Sequence, residues 1–399
     1  MTFSDSDVAR LDAEDPLKDK RALFALPEGI VYLDGNSLGP PTKAALARLR
    51  LVAETEWRDG LIRSWNDAGW IDLPRTCATK IARIIGARPD EALVTDSVSI
   101  NLFKLAAALK RLHPAAVLAI AADEFPTDIY VLDGLADLIG APVRRVAPGD
   151  TPDGPTILVK SLADFRTGAV ADMAAVEAGI ARRGGAVIWD LCHAAGVLDI
   201  RVKENGANYA VGCGYKFLNG GPGAPAFVYI ANDRSAGLRQ PISGWMGHRR
   251  PFDFVAGYEP ADGVARFAAG TPPILSMAAL DAALDAFDGV DLRIVETKAR
   301  ALADLFLERT ADLGLVKASA AGRRGGQAGL RHQNGYAVMQ ALIGRGIIGD
   351  FRPPDLMRFG FSPLFLSYAE VATAAAALHD VLATEEWREP RFSQRRAVL

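Results

Sequence analysis

Asn208-Tyr-Ala-Val-Gly-Cys-Gly-Tyr-Lys-Phe-Leu-Asn-Gly-Gly-Pro-Gly-Ala-Pro225 begins as an apolar strand and breaks into glycines around one lysine, Lys216. Glycines allow a tight bend and a close approach of backbone to ligand. A lysine held there, once relieved of its proton, is a nucleophile. An ordinary turn with an exposed lysine is the competing reading, and the flanking sequence has to arbitrate.

Upstream of that stretch, short apolar runs alternate with helical periodicity. Strands are predicted at 31–33, 91–95, 116–121, 143–146, 156–160, 186–190, 209–212 and 226–230, and helices at 42–57, 74–86, 100–112, 129–139 and 171–183. Apolar runs without in/out alternation, separated by helices, indicate a mostly parallel sheet buried on both faces. The turn-rich segments 34–41 and 64–70 and the loop 123–128 interrupt this pattern. Past residue 270, helices at 272–287, 292–313, 337–345 and 369–384 and short strands at 346–351 and 356–361 describe a smaller unit. The expected class is α/β: a large domain with a mostly parallel mixed sheet flanked by helices, plus a smaller α+β C-terminal domain. The expected division is an N-terminal segment at 1–30 associated with the small domain, a large domain at 31–265 and a small domain at 266–399.

The chain has 399 residues, half of them hydrophobic, and a net charge of −3. That length favours two domains. That charge argues against a nucleic-acid surface or a polybasic membrane patch. Three irregularly spaced cysteines, Cys77, Cys192 and Cys213, fit a reducing compartment better than a disulfide framework or structural zinc. The first twenty residues lack an apolar core or basic amphipathic character, and no run of 18 apolar residues occurs. The expectation is a cytoplasmic protein without signal peptide, membrane span or metal.

Five features around Lys216 carry chemistry. Asp96-Ser-Val-Ser99 opens a helix after a strand and suits a phosphate group, although most capped helices bind nothing. Asp190 ends an apolar strand, where open α/β sheets place ligands. A buried carboxylate there needs a partner. A protonated pyridine nitrogen would serve, as would a structural ion pair. His193 follows three residues later. Lys216 itself suits imine formation with an aldehyde and proton shuttling, with Tyr215 beside it as a phosphate donor or acid. In Phe125-Pro-Thr-Asp128, the ring suits stacking and the carboxylate a ring substituent, against plain turn chemistry. Arg358 lies in an apolar segment and wants a planar anion, either a substrate carboxylate or a structural partner. Trp65 and Trp70 in a glycine-containing loop read as packing aromatics or as a wall for a flat ligand.

Taken together, Tyr32-Leu-Asp-Gly-Asn-Ser-Leu-Gly-Pro40, Phe125-Pro-Thr-Asp128, Phe165-Arg-Thr-Gly168, Trp189-Asp-Leu-Cys-His193, the lysine stretch and Gly244-Trp-Met-Gly-His248 resemble the kynureninase family, pyridoxal-phosphate enzymes of fold type I. The resemblance spans nearly the whole chain. It implies pyridoxal 5'-phosphate as cofactor, linked to Lys216 as a Schiff base. It implies Asp190 on the pyridine nitrogen, Phe125 stacked on the ring, and Pro126, Thr127, Asp128 and His193 around it. Val98, Ser99, Ser161 and Tyr215 are implied cofactor contacts. Trp245 and Thr271 match positions that reach the cofactor from a second subunit, so a homodimer with shared active sites is implied. Arg358 matches the arginine for the substrate α-carboxylate, with Asn36, Ser37 and Trp65 as further substrate contacts. The implied reaction is hydrolysis of L-kynurenine to anthranilate and L-alanine in tryptophan catabolism, with the 3-hydroxy substrate turned over less well. The aromatic at Trp65 and Thr271 in place of asparagine resemble the kynurenine-preferring bacterial form. The residues 325–329 carry no distinctive match. A class V aminotransferase and a non-catalytic pyridoxal-phosphate protein are the alternatives. A desulfurase would need a mobile thiol in its second half, and the last cysteine, Cys213, lies beside Lys216 and is no candidate. A nicotinamide fingerprint fails at Phe217.

Overall fold

The computed structural model describes residues 3–150 and 152–395. Met1, Thr2 and 396–399, the ends of the expected N- and C-terminal segments, and Thr151 lie outside the described residues.

The chain opens with helix α1 (Asp5–Glu14) and the two-residue strand β1 (Val31–Tyr32). Helix α2 (Lys43–Leu51) starts at Thr42, whose hydroxyl accepts the Ala45 amide. It runs into a wider, π-helical segment over Val52–Gly60. The predicted loop at 64–70 instead holds a one-turn helix, α3 (Ser64–Asp67), and a second turn at Trp70–Asp72. Helix α4 (Leu73–Ile85) has a proline in its first turn and stops at Gly86, which takes the left-handed conformation that glycine tolerates.

The main sheet follows. Its strands are β2 (Ala92–Val94), β3 (Val117–Ala121), β4 (Val143–Val146), β5 (Thr156–Ser161), β6 (Ala186–Asp190), β7 (Tyr209–Cys213) and β8 (Ala226–Ile230). They lie in the order β2-β8-β7-β6-β5-β3-β4. β4, β3, β5, β6 and β7 run parallel, and β8 is antiparallel to both its neighbours. The central strands are buried on both faces, which is why they lack alternation. Helices α5 (Val98–Leu112), α6 (Pro126–Ile139) and α7 (Met173–Ala181) connect them. The loop expected at 123–128 is shorter than predicted. Pro126 has the fixed φ suited to a first helical residue, so Pro126, Thr127 and Asp128 form the first turn of α6 and Phe125 caps it.

After β8, helices α8 (Ile274–Leu284) and α9 (Leu292–Arg309) lead to strands β9 (Val316–Lys317) and β10 (Gln327–Arg331), which the sequence patterns missed. Helix α10 (Gly335–Gly344) precedes β11 (Ile347–Ile348), β12 (Asp350–Arg352), β13 (Leu356–Gly360) and helix α11 (Tyr368–Thr384). The single strand expected at 346–351 splits in two. β11 joins β1 in a parallel pair, whereas β12 joins the antiparallel sheet β12-β13-β10-β9. The β1–β11 pair ties the residues before the Asp34 turn to the C-terminal unit, and a parallel bridge joins Asp34 to Gly360 at the end of β13. α1 packs on α11, and α8 packs on α2 and α4.

Candidate active site

The C-terminal ends of the parallel strands meet where β6 and β7 lie side by side, and Asp190 and Lys216 follow from those strands. Asp190 is buried, with one carboxylate oxygen accepting the Cys192 amide at 2.7 Å. Across the ladder it faces Ser161, the last residue of β5.

The lysine loop is held by its own glycines and by the Asp34 turn. The Gly220 amide donates to the Gly214 carbonyl at 2.8 Å, and the Gly39 amide to the Tyr215 carbonyl at 2.7 Å. A Cβ on Gly39 would stand 2.2 Å from the Lys216 carbonyl oxygen, so this crossing requires glycine. Lys216 is buried in consequence, with Nζ 3.0 Å from His193 Nε2 and 5.8 Å from the Phe125 ring centroid. Burial, then the charges of Lys216 and Arg358, push the His193 pKa far below the ordinary imidazole value. The ring is therefore neutral. Its Nε2 stands within hydrogen-bond reach of Lys216 Nζ, and its Nδ1 is buried without a hydrogen-bond partner.

Asp128 joins the cluster from the first turn of α6. Burial, then Asp190 and Glu124, raise its pKa well above the usual carboxylate range, with Lys216 opposing. Burial likewise raises Glu124, whose oxygen accepts the Ser161 amide at 3.1 Å. Asp128, Asp190 and Glu124 thus share one region, with Lys216 beside Asp128 and Lys160 beside Glu124, and Asp128 Oδ2 is buried without a hydrogen-bond partner. Such a slot is short of positive hydrogen-bond donors. A flat ring with a protonated nitrogen fits that deficit.

A cavity of about 430 Å³ opens beside Tyr215, lined by Asp96, Ser97, Gly223, Pro225 and Thr271 of the same chain. It lies against the start of α5, where Ser97 caps the helix and Val98 and Ser99 form its first turn. First-turn amides favour an anion. Beneath it sits a residue the sequence reading did not single out. Lys104 is fully buried and bonds to the Asp96 carboxylate and the Phe267 carbonyl, holding Asp96 in its left-handed conformation.

Arg358 lies on β13 with its side chain buried. It donates to the Phe165 carbonyl at 2.8 Å, the Ser37 hydroxyl at 2.9 Å and the Asp350 carboxylate. The Phe165 ring stands edge-on to Phe125 at 5.2 Å, which connects the arginine to the wall beside Lys216. Asn36 is buried and reaches Gln327, 3.5 Å away, over Gly360, where any side chain would collide with it. Asp350 and Gln327 are further residues absent from the sequence reading. The ring contacts of Trp65 are with Trp70, 6.1 Å away, and those of Trp245 with Phe252 and Phe254. The structure therefore gathers Lys216, Tyr215, Asp190, His193, Phe125, Asp128 and Ser161 at one place and Arg358, Ser37 and Asn36 at an adjoining one. Among the described residues no cluster suited to a metal ion occurs.

The backbone resembles solved pyridoxal-phosphate enzymes. A C-DES mutant with glycine covalently linked to its PLP cofactor superposes with a TM-score of 0.77 at 18% identity, over 88% of this chain and 97% of that one. The apo cysteine desulfurase of Thermococcus onnurineus NA1 gives 0.76 at 16% identity, over 96% and 100%. The fold is that of the fold-type-I pyridoxal-phosphate enzymes. A family model described as the kynureninase C-terminal domain matches residues 295–378. The kynureninase of Burkholderia mallei (strain SAVP1) is 44% identical over 97% of this chain and 98% of its own length, and that of Pseudomonas fluorescens is 43% identical over 98% and 99%. The chain belongs to the kynureninase family.

Proposed function

We propose that the protein hydrolyses L-kynurenine to anthranilate and L-alanine, and 3-hydroxykynurenine less efficiently, with pyridoxal 5'-phosphate as cofactor. The observation that carries this is the acid-rich slot around Lys216, buried beside an anion-binding helix start, in a chain of this family. Lys216 would hold the cofactor's aldehyde, Asp190 its ring nitrogen, and the first turn of α5 (Val98, Ser99) with Tyr215 its phosphate. Phe125, Pro126, Thr127, Asp128, Ser161 and His193 complete the cradle. When bound, the cofactor supplies an electron sink for charge at the substrate carbons.

The chain's own groups do the rest. Arg358, with Asn36 beside it, orients the substrate carboxylate, and Trp65 meets its aryl end. Lys216 Nζ takes the proton from the substrate α-carbon, next to the neutral His193. Water adds to the γ-carbonyl and the Cβ–Cγ bond breaks. Tyr215 Oη gives a proton to Cβ and recovers one from the added water, and Lys216 returns the α-proton to the α-carbon, which completes L-alanine. The working unit in this reading is a homodimer in which Trp245 and Thr271 of one subunit complete the site of the other. The exposed Phe252 and Phe254 beside Trp245 support a covered face there. Among the described residues no helix is long and apolar enough to cross a membrane. We place the protein in the cytoplasm. The divisions at 30 and 265 are likewise our reading, supported by the packing of α1 on α11, with α8 as the joint.

Incubating the holoenzyme with L-kynurenine and following anthranilate fluorescence tests the assignment. Absence of product with cofactor bound would overturn it. Amino transfer to 2-oxoglutarate would then identify a class V aminotransferase, and its absence a non-catalytic protein.

A further inference from the structure

The guanidinium of Arg358 has five N–H groups, and three of them are in use within the chain. Nη1 donates to the Phe165 carbonyl, while Nη2 donates to both Ser37 Oγ and Asp350 Oδ2. Nε is buried and unpartnered. A carboxylate binds arginine two-pronged through one of two edges, Nε with Nη2 or Nη1 with Nη2. Both edges include Nη2, so a substrate carboxylate can take a two-pronged seat only by displacing Ser37 or Asp350.

The two are not equivalent. Asp350 faces Arg358 directly across the β12–β13 ladder, is buried with it, and also meets Arg352 at 2.9 Å. Removing a buried charge from its partner is costly. Ser37 is a neutral hydroxyl on the Asp34 turn, and its own hydrogen already goes to Asp350 Oδ2 at 2.8 Å. It leaves Nη2 without losing that bond.

We infer that Asp350 is a positioning residue that fixes the Arg358 guanidinium, and that Ser37 is a placeholder which the substrate's α-carboxylate displaces from Nη2. This rests on the reading of Arg358 as the carboxylate arginine. Asp350 keeps the plane of the fork constant while one prong changes partner, and the turn carrying Ser37 is the part that yields.

L-Alanine has the same α-carboxylate and lacks the aryl group, so it isolates this seat. Its half-saturation concentration is read from the change it causes in the holoenzyme's absorbance. Asp350→Asn should raise that concentration about tenfold or more. It should also raise KM for L-kynurenine by a larger factor than it lowers kcat. Ser37→Ala should leave L-alanine binding as tight as in the parent or tighter. A half-saturation within twofold of the parent for Asp350→Asn overturns the positioning role. Weakening by Ser37→Ala comparable to that by Asp350→Asn overturns the placeholder role. If Asp350→Asn does not fold, Ser37→Ala together with Asp350→Glu decides: the inference requires the glutamate variant alone to be weakened. A parent that neither cleaves L-kynurenine nor responds to L-alanine would instead refute the proposed function.

Discussion

Lys216 Nζ lies 3.0 Å from His193 Nε2, in a pocket where burial and neighbouring cations keep the imidazole neutral. The contact fixes the Lys216 side chain at one point of the site. Lys216→Ala should abolish turnover and lose the yellow colour on dialysis. Borohydride treatment should fix the cofactor's mass on the parent alone, read by intact mass spectrometry. A dialysed variant with the parent's absorbance would refute the assignment of Lys216.

The same contact sets a pH dependence. The folded pKa of His193 lies far below the ordinary value of 6.5, so below that value the unfolded chain binds a proton that the folded chain refuses. Its neutral burial therefore favours the folded state above pH 6.5 and disfavours it progressively as the pH falls below. His193→Asn should flatten the decline of Tm between pH 7 and pH 5. Parallel curves for variant and parent would mean that other groups dominate the acid limb.

Tyr215 borders the cavity, and burial, followed by the nearby Cys213, Cys192 and Asp190, pushes its phenol pKa upward. It keeps its proton at neutral pH and has one to give. Tyr215→Phe should lower kcat about 10²-fold or more, the usual scale of general acid catalysis. Stopped-flow measurement of L-alanine release checks this. A rate within a few-fold of the parent rules out the acid role.

The main sheet was legible because its strands are apolar runs of strand length, and Asp190 and Lys216 were legible because each ends such a run. What escaped is polar and buried. Gln327-Ala-Gly-Leu-Arg331 contains one large apolar residue, and its burial comes from the neighbouring β13 rather than from local pattern. Asp350 acquires meaning only from its cross-strand neighbour Arg358. Lys104 did leave a signal. It occupies the helix stripe shared with Asn101, Leu105 and Ala108, where a lysine has no business unless an anion waits inside. Trp245 and Thr271, proposed to act across a dimer, are legible only through the family resemblance, and within the single chain Thr271 borders the cavity beside Tyr215.

Lys104 anchors the turn under the start of α5 through Asp96. Lys104→Met should destabilise the protein by about 3 kcal/mol, because it strands a partly buried carboxylate. It should also raise the pyridoxal phosphate concentration needed to reconstitute the apoenzyme. Urea unfolding and reconstitution titrations check the two effects. An unchanged titration would confine Lys104 to stability.

Asp34 sits at the turn that carries Ser37, buried, with Oδ1 unpartnered. Burial, then the charge of Asp350, push its pKa up to about 7, against the pull of Ser37 and Arg358. In the folded chain Asp34 therefore keeps its proton between pH 4 and 7, where the unfolded chain has lost it. Its contribution to stability is fully present below 3.8 and disappears as the pH rises through about 7. Asp34→Asn keeps the neutral form at every pH, so its advantage in Tm over the parent should be larger at pH 8 than at pH 5. A constant difference would refute the titration. The same logic extends to the substrate, because a carboxylate arriving at Arg358 adds negative charge beside a group that titrates near neutrality. L-Alanine binding to the holoenzyme at pH 7 should then take up protons at Asp34. Calorimetric titration of parent and Asp34→Asn in two buffers of different ionisation enthalpy measures this, and the buffer-dependent uptake should be smaller in the variant. Equal uptake by variant and parent would place the proton elsewhere.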